Sequence, residues 1–188
     1  MSTLEVNTIS PISGSSDVTL GGSSKNIKFA SGTTVDFSTN TPTTTLGSTM
    51  KATPAFFAKQ GSTQAISSLT WTKMNINTEI FDSDSKYDTS NYRFTPTVAG
   101  KYFCYGQVNI SDGSENVLAQ IAIYKNGSQA FMCVDRFPNE NDIAVNIQVV
   151  LDLDTDDYVE AYARHSRGSN SDVLSNSSFF GAYRIIGA

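Results

Sequence analysis

The stretch that decides the fold is Asn91–Val108, which reads NYRFTPTVAGKYFCYGQV. Tyr92 and Phe94 alternate with polar neighbours, and this two-residue period predicts a short, half-buried strand. Pro96 has no amide hydrogen to donate to a strand ladder, so we expect the strand to end there. Gly100 tolerates the positive φ of a tight corner, and the aromatic run after it predicts a long, packed strand.

The composition of the 188-residue chain favours an all-β fold. Hydrophobic residues make up 39% of the sequence and aromatic residues 11%, which is adequate for a core, while charged residues make up only 16%. No window of helical length repeats its apolar residues with the spacing of a helix face, so we expect little or no helix. The abundance of Ser, Thr, Asn and Gly is typical of a chain with many turns.

Charge and hydropathy exclude several classes of partner. A formal net charge of -5 argues against nucleic acid, because phosphate binding needs clustered Lys and Arg. We find no apolar run long enough to insert in a membrane and no signal peptide, so we expect assembly in a cytoplasm. Cys104 and Cys133 fit neither a metal motif nor a redox motif; two buried thiols are favoured, and a disulfide remains the alternative.

Residues 1–50 differ in composition from the rest of the chain and are predicted to form a separate region, with a linker before residue 51. They contain no Tyr, Trp or Cys, and short apolar pieces alternate with long Ser, Thr and Gly stretches. Such a segment has too few apolar residues to offset its own chain entropy. It is therefore either a disordered tail or a stalk in which several copies wind together, and the regular spacing favours the stalk and an oligomer.

Residues 51–188 carry the pattern of a sandwich or barrel of about eight strands. Ile143 to Leu153 alternate most cleanly, and Asn126-Gly127 predicts a type I′ hairpin turn. Polar loops are expected at Gln60–Ser68, Phe81–Asn91, Asn139–Asp142 and Gly168–Ser177. Further strands are predicted at Pro54–Ala58, from Trp71 through Met74, Ile76 and Ile80, from Val117 to Tyr124, around Phe131 and Cys133, around Val159–Ala163 and from Phe179 to Ile186.

The order of these elements resembles the jelly-roll head of the complement q-subcomponent and tumour necrosis factor superfamily. The matching pieces span residues 53–188. They are Pro54-Ala55-Phe56, Tyr87 with Asn91-Tyr92-Arg93-Phe94-Thr95-Pro96, Ala99-Gly100-Lys101-Tyr102-Phe103, Lys125-Asn126-Gly127, Leu151-Asp152-Leu153, Asp156-Asp157-Tyr158-Val159 and Ser178-Phe179-Phe180-Gly181-Ala182-Tyr183. The resemblance implies an all-β jelly-roll sandwich.

The resemblance also implies a homotrimer, because members of this superfamily associate around a threefold axis lined by aromatic and aliphatic residues. The aromatic residues of this chain exceed what one small sandwich core needs, and amphipathic rings are enriched at subunit interfaces. The candidates for the trimer interface or core are Tyr102, Tyr105, Tyr158, Tyr162, Phe179 and Tyr183.

The start of the chain resembles the N-terminal region of bacteriophage fibre and other virion-attached proteins. A short Leu-x-Val-Asn-Thr-Ile motif there precedes Ser-, Thr- and Gly-rich β repeats, and this chain has LEVNTI at Leu4–Ile9. The resemblance implies a virion anchor in which Leu4, Val6 and Ile9 contact other capsid or tail proteins. It also implies a protein located on the surface of the particle.

Few residues have the pattern of a catalytic or metal site. His165, the only histidine, is predicted to be a solvent-facing residue at a strand end. Asp154, Asp156 and Asp157 are predicted to form a polar turn; calcium is the alternative, although the calcium-loop glycine and terminal glutamate are missing. No phosphate loop, zinc motif, nucleophile elbow or pair of catalytic acids is recognisable.

The leading interpretation is a homotrimeric phage fibre whose C-terminal knob binds a bacterial surface glycan or protein through its loops. Tyr87, Asn139 and Asn170 are the candidate receptor-loop residues. The alternative is a capsid decoration protein that stabilises the head shell without binding a receptor. An enzyme that depolymerises glycans is a third hypothesis, but it needs a carboxylate pair in a groove, and the acidic residues here fall mainly in turns.

Overall fold

A computed structural model of the chain describes residues 54–111, 116–136 and 142–185. These ranges contain thirteen β-strands and no helix, and therefore no helix that could span a membrane. The all-β prediction is confirmed for this part of the chain. The strands are β1 (Ala55–Lys59), β2 (Gln64–Ile66), β3 (Thr72–Lys73), β4 (Thr78–Asp82), β5 (Tyr87–Asp88), β6 (Arg93–Phe94), β7 (Gly100–Ile110), β8 (Leu118–Lys125), β9 (Ser128–Arg136), β10 (Ile143–Leu153), β11 (Val159–His165), β12 (Ser171–Val173) and β13 (Phe179–Arg184).

The strands form two antiparallel sheets around one core. The seven-stranded sheet has the order β2-β12-β7-β13-β1-β4, and β10 also pairs with β7. The six-stranded sheet has the order β5-β6-β11-β8-β9, and β3 also pairs with β11. Neighbouring strands come from distant parts of the chain, as in jelly-roll sandwiches, so the predicted architecture is confirmed.

The longest ladder joins β7 to β10 and fixes which side chains enter the core. It runs from the pair Gly100 and Leu153 to the pair Ile110 and Ile143. Residues that are paired in an antiparallel ladder have their side chains on the same side of the sheet. Every second pair along β7 and β10 therefore points both of its side chains into the core. The alternation predicted for residues 143–153 is confirmed. The residue that interrupts its polar side, Val150, is 49% exposed.

Four aromatic rings fill the centre of the core. Phe56 stacks on Tyr87, with 4.5 Å between ring centroids, and on Phe94 at 4.6 Å. Phe180 meets the edge of Phe56 at 5.2 Å. Burying each large apolar side chain contributes roughly 1.5–3 kcal/mol, so this cluster locks four separated strands together.

The corner that decides the fold differs in one detail from the prediction. Strand β6 contains only Arg93 and Phe94, because Tyr92 has a φ of 54° and therefore lies outside the strand. The predicted positive φ at Gly100 is confirmed at 149°, and β7 begins there. Tyr102 is fully buried, and its hydroxyl donates to the Val98 carbonyl oxygen at 2.6 Å, which closes the corner from inside.

The prediction of one continuous strand from Trp71 through Ile80 is wrong. The chain forms two separate strands, β3 and β4, because the Ile76 amide donates to the Met74 carbonyl oxygen and makes a tight local turn. Met74 and Ile76 are buried, whereas Ile80 is 53% exposed. Three segments predicted as loops contain short strands instead, since β2 lies in residues 60–68, β5 lies in residues 81–91 and β12 lies in residues 168–177.

The hairpin follows the prediction, and of the two thiols predicted to be buried Cys104 is buried whereas Cys133 is only partly buried. Asn126 and Gly127 have φ values of 53° and 76°, as a type I′ turn requires, and they connect β8 to β9. Cys104 and Cys133 are both free thiols. Burial raises the pKa of Cys104 to about 12, so this thiol stays protonated and behaves as a small apolar side chain.

Candidate functional site

The outer face of the seven-stranded sheet carries an aromatic cluster, which we call the aromatic face. Its rings form a connected network. The centroid of the Tyr105 ring lies 6.3 Å from that of Phe57 and 6.4 Å from those of Phe179 and Tyr183. The outer face of a solvated sheet normally carries polar residues, so a contiguous apolar surface of this kind marks an interaction site. The aromatic face consists of Phe57, Phe81, Phe103, Tyr105, Phe179 and Tyr183.

A glycine keeps this face flat. A Cβ atom added at Gly181 would lie 2.5 Å from the ring of Tyr105, so only glycine leaves room for the ring to lie on the sheet. Val150 extends the surface, because it pairs with Phe103 across the β7–β10 ladder. The most exposed members of the face are Phe81 at 49% and Tyr183 at 42%.

The structure divides the predicted interface residues among three places. Tyr105, Phe179 and Tyr183 lie together on the aromatic face. Tyr102 belongs to the core and is inaccessible to another subunit, because its side chain is completely buried. Tyr158 and Tyr162 lie on β11 or next to it, on the six-stranded sheet, so the six candidates do not form one surface. Their assignment to a trimer interface stays a prediction.

The outer face of the six-stranded sheet is built around a buried carboxylate, Glu160. Its Oε1 accepts from Lys73 Nζ at 2.9 Å and from Arg93 Nη2 at 2.8 Å, and its Oε2 accepts from the Tyr162 hydroxyl at 3.3 Å. Arg93 also lies 3.6 Å from the centroid of the Tyr158 ring. Glu160 lies between the apolar residues Val159 and Ala161 along β11, and nothing in the sequence identified its two cationic partners.

An aromatic row continues from this ion cluster. Tyr162 stacks on Tyr124 with 4.0 Å between ring centroids, and Tyr124 meets Trp71 edge-on at 6.3 Å. Burial, and then the neighbouring Glu160 carboxylate, raise the pKa of Tyr162 to about 12, so its hydroxyl remains a proton donor at neutral pH. We call the row and its cations the cationic strip: Trp71, Lys73, Arg93, Tyr124 and Tyr162.

The receptor-loop residues have different outcomes. The prediction for Tyr87 is wrong, because its ring is in the core against Phe56 and its hydroxyl donates to the Ile76 carbonyl oxygen at 2.7 Å. Asn170 is exposed in the segment between β11 and β12, and its receptor role stays a prediction. Asn139 lies outside the described residues, as do the predicted anchor residues Leu4, Val6 and Ile9.

His165 is buried, so the prediction of a solvent-facing residue is wrong. Its Nδ1 accepts from the Arg167 amide at 3.2 Å, which leaves the proton on Nε2 to bond the Ile66 carbonyl oxygen at 3.1 Å. Both ring nitrogens are therefore occupied by backbone groups. His165 acts as a structural tie between β2 and β11, and sequence reasoning had no pattern from which to deduce it.

The acidic segment at residues 154–157 forms the predicted polar turn. The Asp157 amide donates to the Asp154 carbonyl oxygen, and Asp157 Oδ2 accepts from the Asp154 amide and from Lys125 Nζ, both at 2.7 Å. Burial by itself would raise the pKa of Asp157. The hydrogen bonds that its carboxylate accepts from Lys125, from the Asp154 amide and from Asn126 have the larger combined effect, so the pKa lies below its usual value. Within the described ranges no group of three His, Cys, Asp or Glu residues is placed to hold a metal ion, so no calcium site is identified there.

Comparisons with known proteins agree with the topology. No curated protein sequence matches the chain. Among solved structures, the globular domain of zebrafish complement 1qA has 17% identity and a TM-score of 0.53, over 70% of this chain and 96% of that one. Murine APRIL at pH 5.0 has 13% identity and a TM-score of 0.52, over 70% and 99%. The C1q domain model matches residues 55–185, and this protein therefore belongs to the C1q domain family.

Proposed function

We propose that this protein is a homotrimeric structural and binding protein of a bacteriophage virion, whose C-terminal knob binds a bacterial surface glycan or protein. C1q and tumour necrosis factor-like domains form trimers and bind ligands, and they are not enzymes. The observation that carries the proposal is the aromatic face. An apolar surface of six rings is costly in water, and association of subunits removes it from water.

A closed trimer needs two different surfaces on each subunit, because a threefold axis joins unlike patches. The aromatic face supplies one of them. The edge strand β9 supplies the other, since Phe131 is 54% exposed, Val134 is 49% exposed and Met132 is 38% exposed. We propose that the β9 edge of one subunit packs against the aromatic face of the next, which also protects an unpaired strand edge from aggregation.

The N-terminal sequence supports the virion location. The motif LEVNTI at Leu4–Ile9 and the Ser-, Thr- and Gly-rich segment after it resemble the starts of phage fibre proteins. In the proposed arrangement these residues attach to capsid or tail proteins, and the knob is displayed outward. Three equivalent knob sites on one axis raise avidity for a repeated surface ligand without any new contact.

Light scattering on the full chain tests the trimer. The proposal expects a single species with three times the 20.3 kDa chain mass. Substitution of aspartate at the aromatic face, as Phe81→Asp with Tyr183→Asp, is expected to yield a folded monomer, because charges do not tolerate burial at an interface. Leu69→Asp is the matched control, since Leu69 is 62% exposed and lies between β2 and β3, outside both the aromatic face and β9. A monomeric wild-type chain would overturn the proposal.

Virion reconstruction and cell adsorption test the biological role. The proposal expects threefold density for the knob at an outward-facing position and adsorption of the purified trimer to host cells. Density spread over capsid facets together with absent cell binding would identify a decoration protein instead. Binding of the trimer to no host strain, under conditions in which virions adsorb, would exclude the receptor role.

A further inference from the structure

The cationic strip lies on the sheet opposite the aromatic face, so the proposed trimer leaves it accessible. Tyr162 pairs with Lys73 across the β11–β3 ladder, and Glu160 pairs with Tyr124 across the β11–β8 ladder, which places all four side chains on one outer face. Trp71 is two residues before Lys73 on the same side. Three aromatic rings and two cations are thereby gathered on one surface.

The cations of the strip face solvent, whereas the carboxylate that holds them does not. The side chains of Lys73 and Arg93 are 30% and 35% exposed, but that of Glu160 is 2% exposed. A second carboxylate, that of Asp88, lies opposite Arg93 across β5 and β6, and hydrogen bonds from Ser90 and Asn91 hold its pKa well below the usual value, so it stays ionised. Glu160 and Asp88 therefore balance the two cations locally, and a ligand meets the exposed N–H donors of Lys73 and Arg93 rather than a net positive charge.

A strained apolar residue lies at the rim of the strip. Leu69 has a φ of 60° and is 62% exposed, two residues from Trp71. Its amide donates to the His165 carbonyl oxygen at 2.7 Å, and the neighbouring Ser68 Oγ accepts from the Gly168 amide at 2.9 Å. These bonds hold a leucine out in water in a left-handed conformation that is unfavourable for a residue with a side chain, and such strain concentrates at binding sites.

We propose that the cationic strip binds acidic sugars, specifically hexuronic acid units of a bacterial polysaccharide. The apolar face of a sugar ring suits the Trp71 and Tyr124 surface with Leu69 at its rim, and the ring carboxylate suits Lys73 and Arg93. Glu160 acts as a positioning residue, because it holds both cations in place without reaching the ligand. This inference rests on the proposed function and identifies the ligand class and site of the knob.

Calorimetry of the full chain with oligomers of galacturonic acid tests the site, and fully methyl-esterified oligomers are the matched ligand because they keep the ring and lose the charge. We expect the esterified oligomers to bind at least tenfold more weakly. Trp71→Ala is expected to weaken binding at least tenfold, and Leu69→Asn at least threefold. Asn tolerates a positive φ, so this second variant keeps the loop and remains informative if Trp71→Ala does not fold. Ile80→Ala is the control and should bind as wild type, because Ile80 is 53% exposed on β4 and belongs neither to the strip nor to the aromatic face.

Three results would overturn the inference: no binding of galacturonate oligomers by the wild-type trimer, equal binding of the esterified oligomers, or unchanged binding by both strip variants. Host-cell adsorption separates this failure from that of the proposed function. A trimer that adsorbs to cells equally well with and without Trp71→Ala keeps its proposed role and loses this site. A monomer that binds galacturonate through Trp71 keeps the site and loses the proposed trimer.

Discussion

The ion cluster around Glu160 allows a quantitative test of how charge is buried in this sandwich. Replacing either cation alone leaves the carboxylate one strong partner. We expect Lys73→Gln to lower the free energy of unfolding by about 0.5–1 kcal/mol, because Lys73 is 30% exposed and its partnership is screened by solvent. We expect Arg93→Gln to cost about 1–2 kcal/mol, since Arg93 also loses its contact with the Tyr158 ring.

Replacing both cations is a different perturbation, because it leaves a carboxylate that is 2% exposed with no counter-charge. Removing the partners of a buried charge costs about 3–5 kcal/mol, so the double variant should lose more than the sum of the two single variants. The middle of these ranges, about 2 kcal/mol for the two single changes together and about 4 kcal/mol for the double change, gives an expected coupling of about 2 kcal/mol. Glu160→Gln should cost only about 1–2 kcal/mol, since the two cations it releases regain water.

Urea unfolding at pH 7 measures these values, with the fluorescence of Trp71, the only tryptophan, as the signal. All variants must be compared at one protein concentration, because an oligomer's apparent stability depends on it. Additivity within about 0.5 kcal/mol would refute the reasoning, since independent sites behave in that way. A Glu160→Gln variant less stable than the double cation variant would refute it as well.

Three further predictions concern the core, a turn and acid stability. Phe56→Ala should destabilise the fold by about 3–5 kcal/mol in urea unfolding, whereas Phe131→Ala, which is 54% exposed in the edge strand, should cost far less in a monomeric variant. Gly127→Ala should cost about 1 kcal/mol by the same measurement, because φ is 76° there; an unchanged midpoint would contradict the type I′ turn. The pKa of Asp157 is lowered in the folded chain, so its stabilising contribution is present above about pH 4 and is lost as the pH falls through the folded value. Thermal melts from pH 7 to pH 2 should therefore show a flatter acid limb for Asp157→Asn than for wild type, and parallel limbs would exclude this role.

Much of the sandwich was predictable from local pattern. The alternation along Ile143–Leu153, the Asn126-Gly127 turn and the positive φ at Gly100 each depend on a few adjacent residues, so the sequence contains the whole signal. The prediction of strand boundaries failed where a short segment can form either a strand or a local turn. The segment from Trp71 to Ile80 alternates like one strand, but a hydrogen bond between Ile76 and Met74 breaks it.

The candidate sites were much less predictable. Tyr87 and His165 occur in polar sequence and looked exposed, yet both are buried, because the residues that cover them come from distant strands. Tyr102, Tyr105, Tyr158 and Tyr162 looked equivalent as aromatic residues. Only the ladder register separates them into a core residue, a member of the aromatic face and two residues of the six-stranded sheet.

The sequence by itself determined the β-strand content, the corner before β7, the main hairpin and the surplus of aromatic rings. These follow from side-chain period and backbone preference, which act over a few residues. The tertiary structure alone decided that six rings share one outer face and that Lys73 and Arg93 meet on Glu160, which is 87 and 67 residues away along the chain. Strand order and register determine which of these residues come into contact. Both depend on packing between segments that are far apart in the chain, and no local sequence pattern shows which segments will pair.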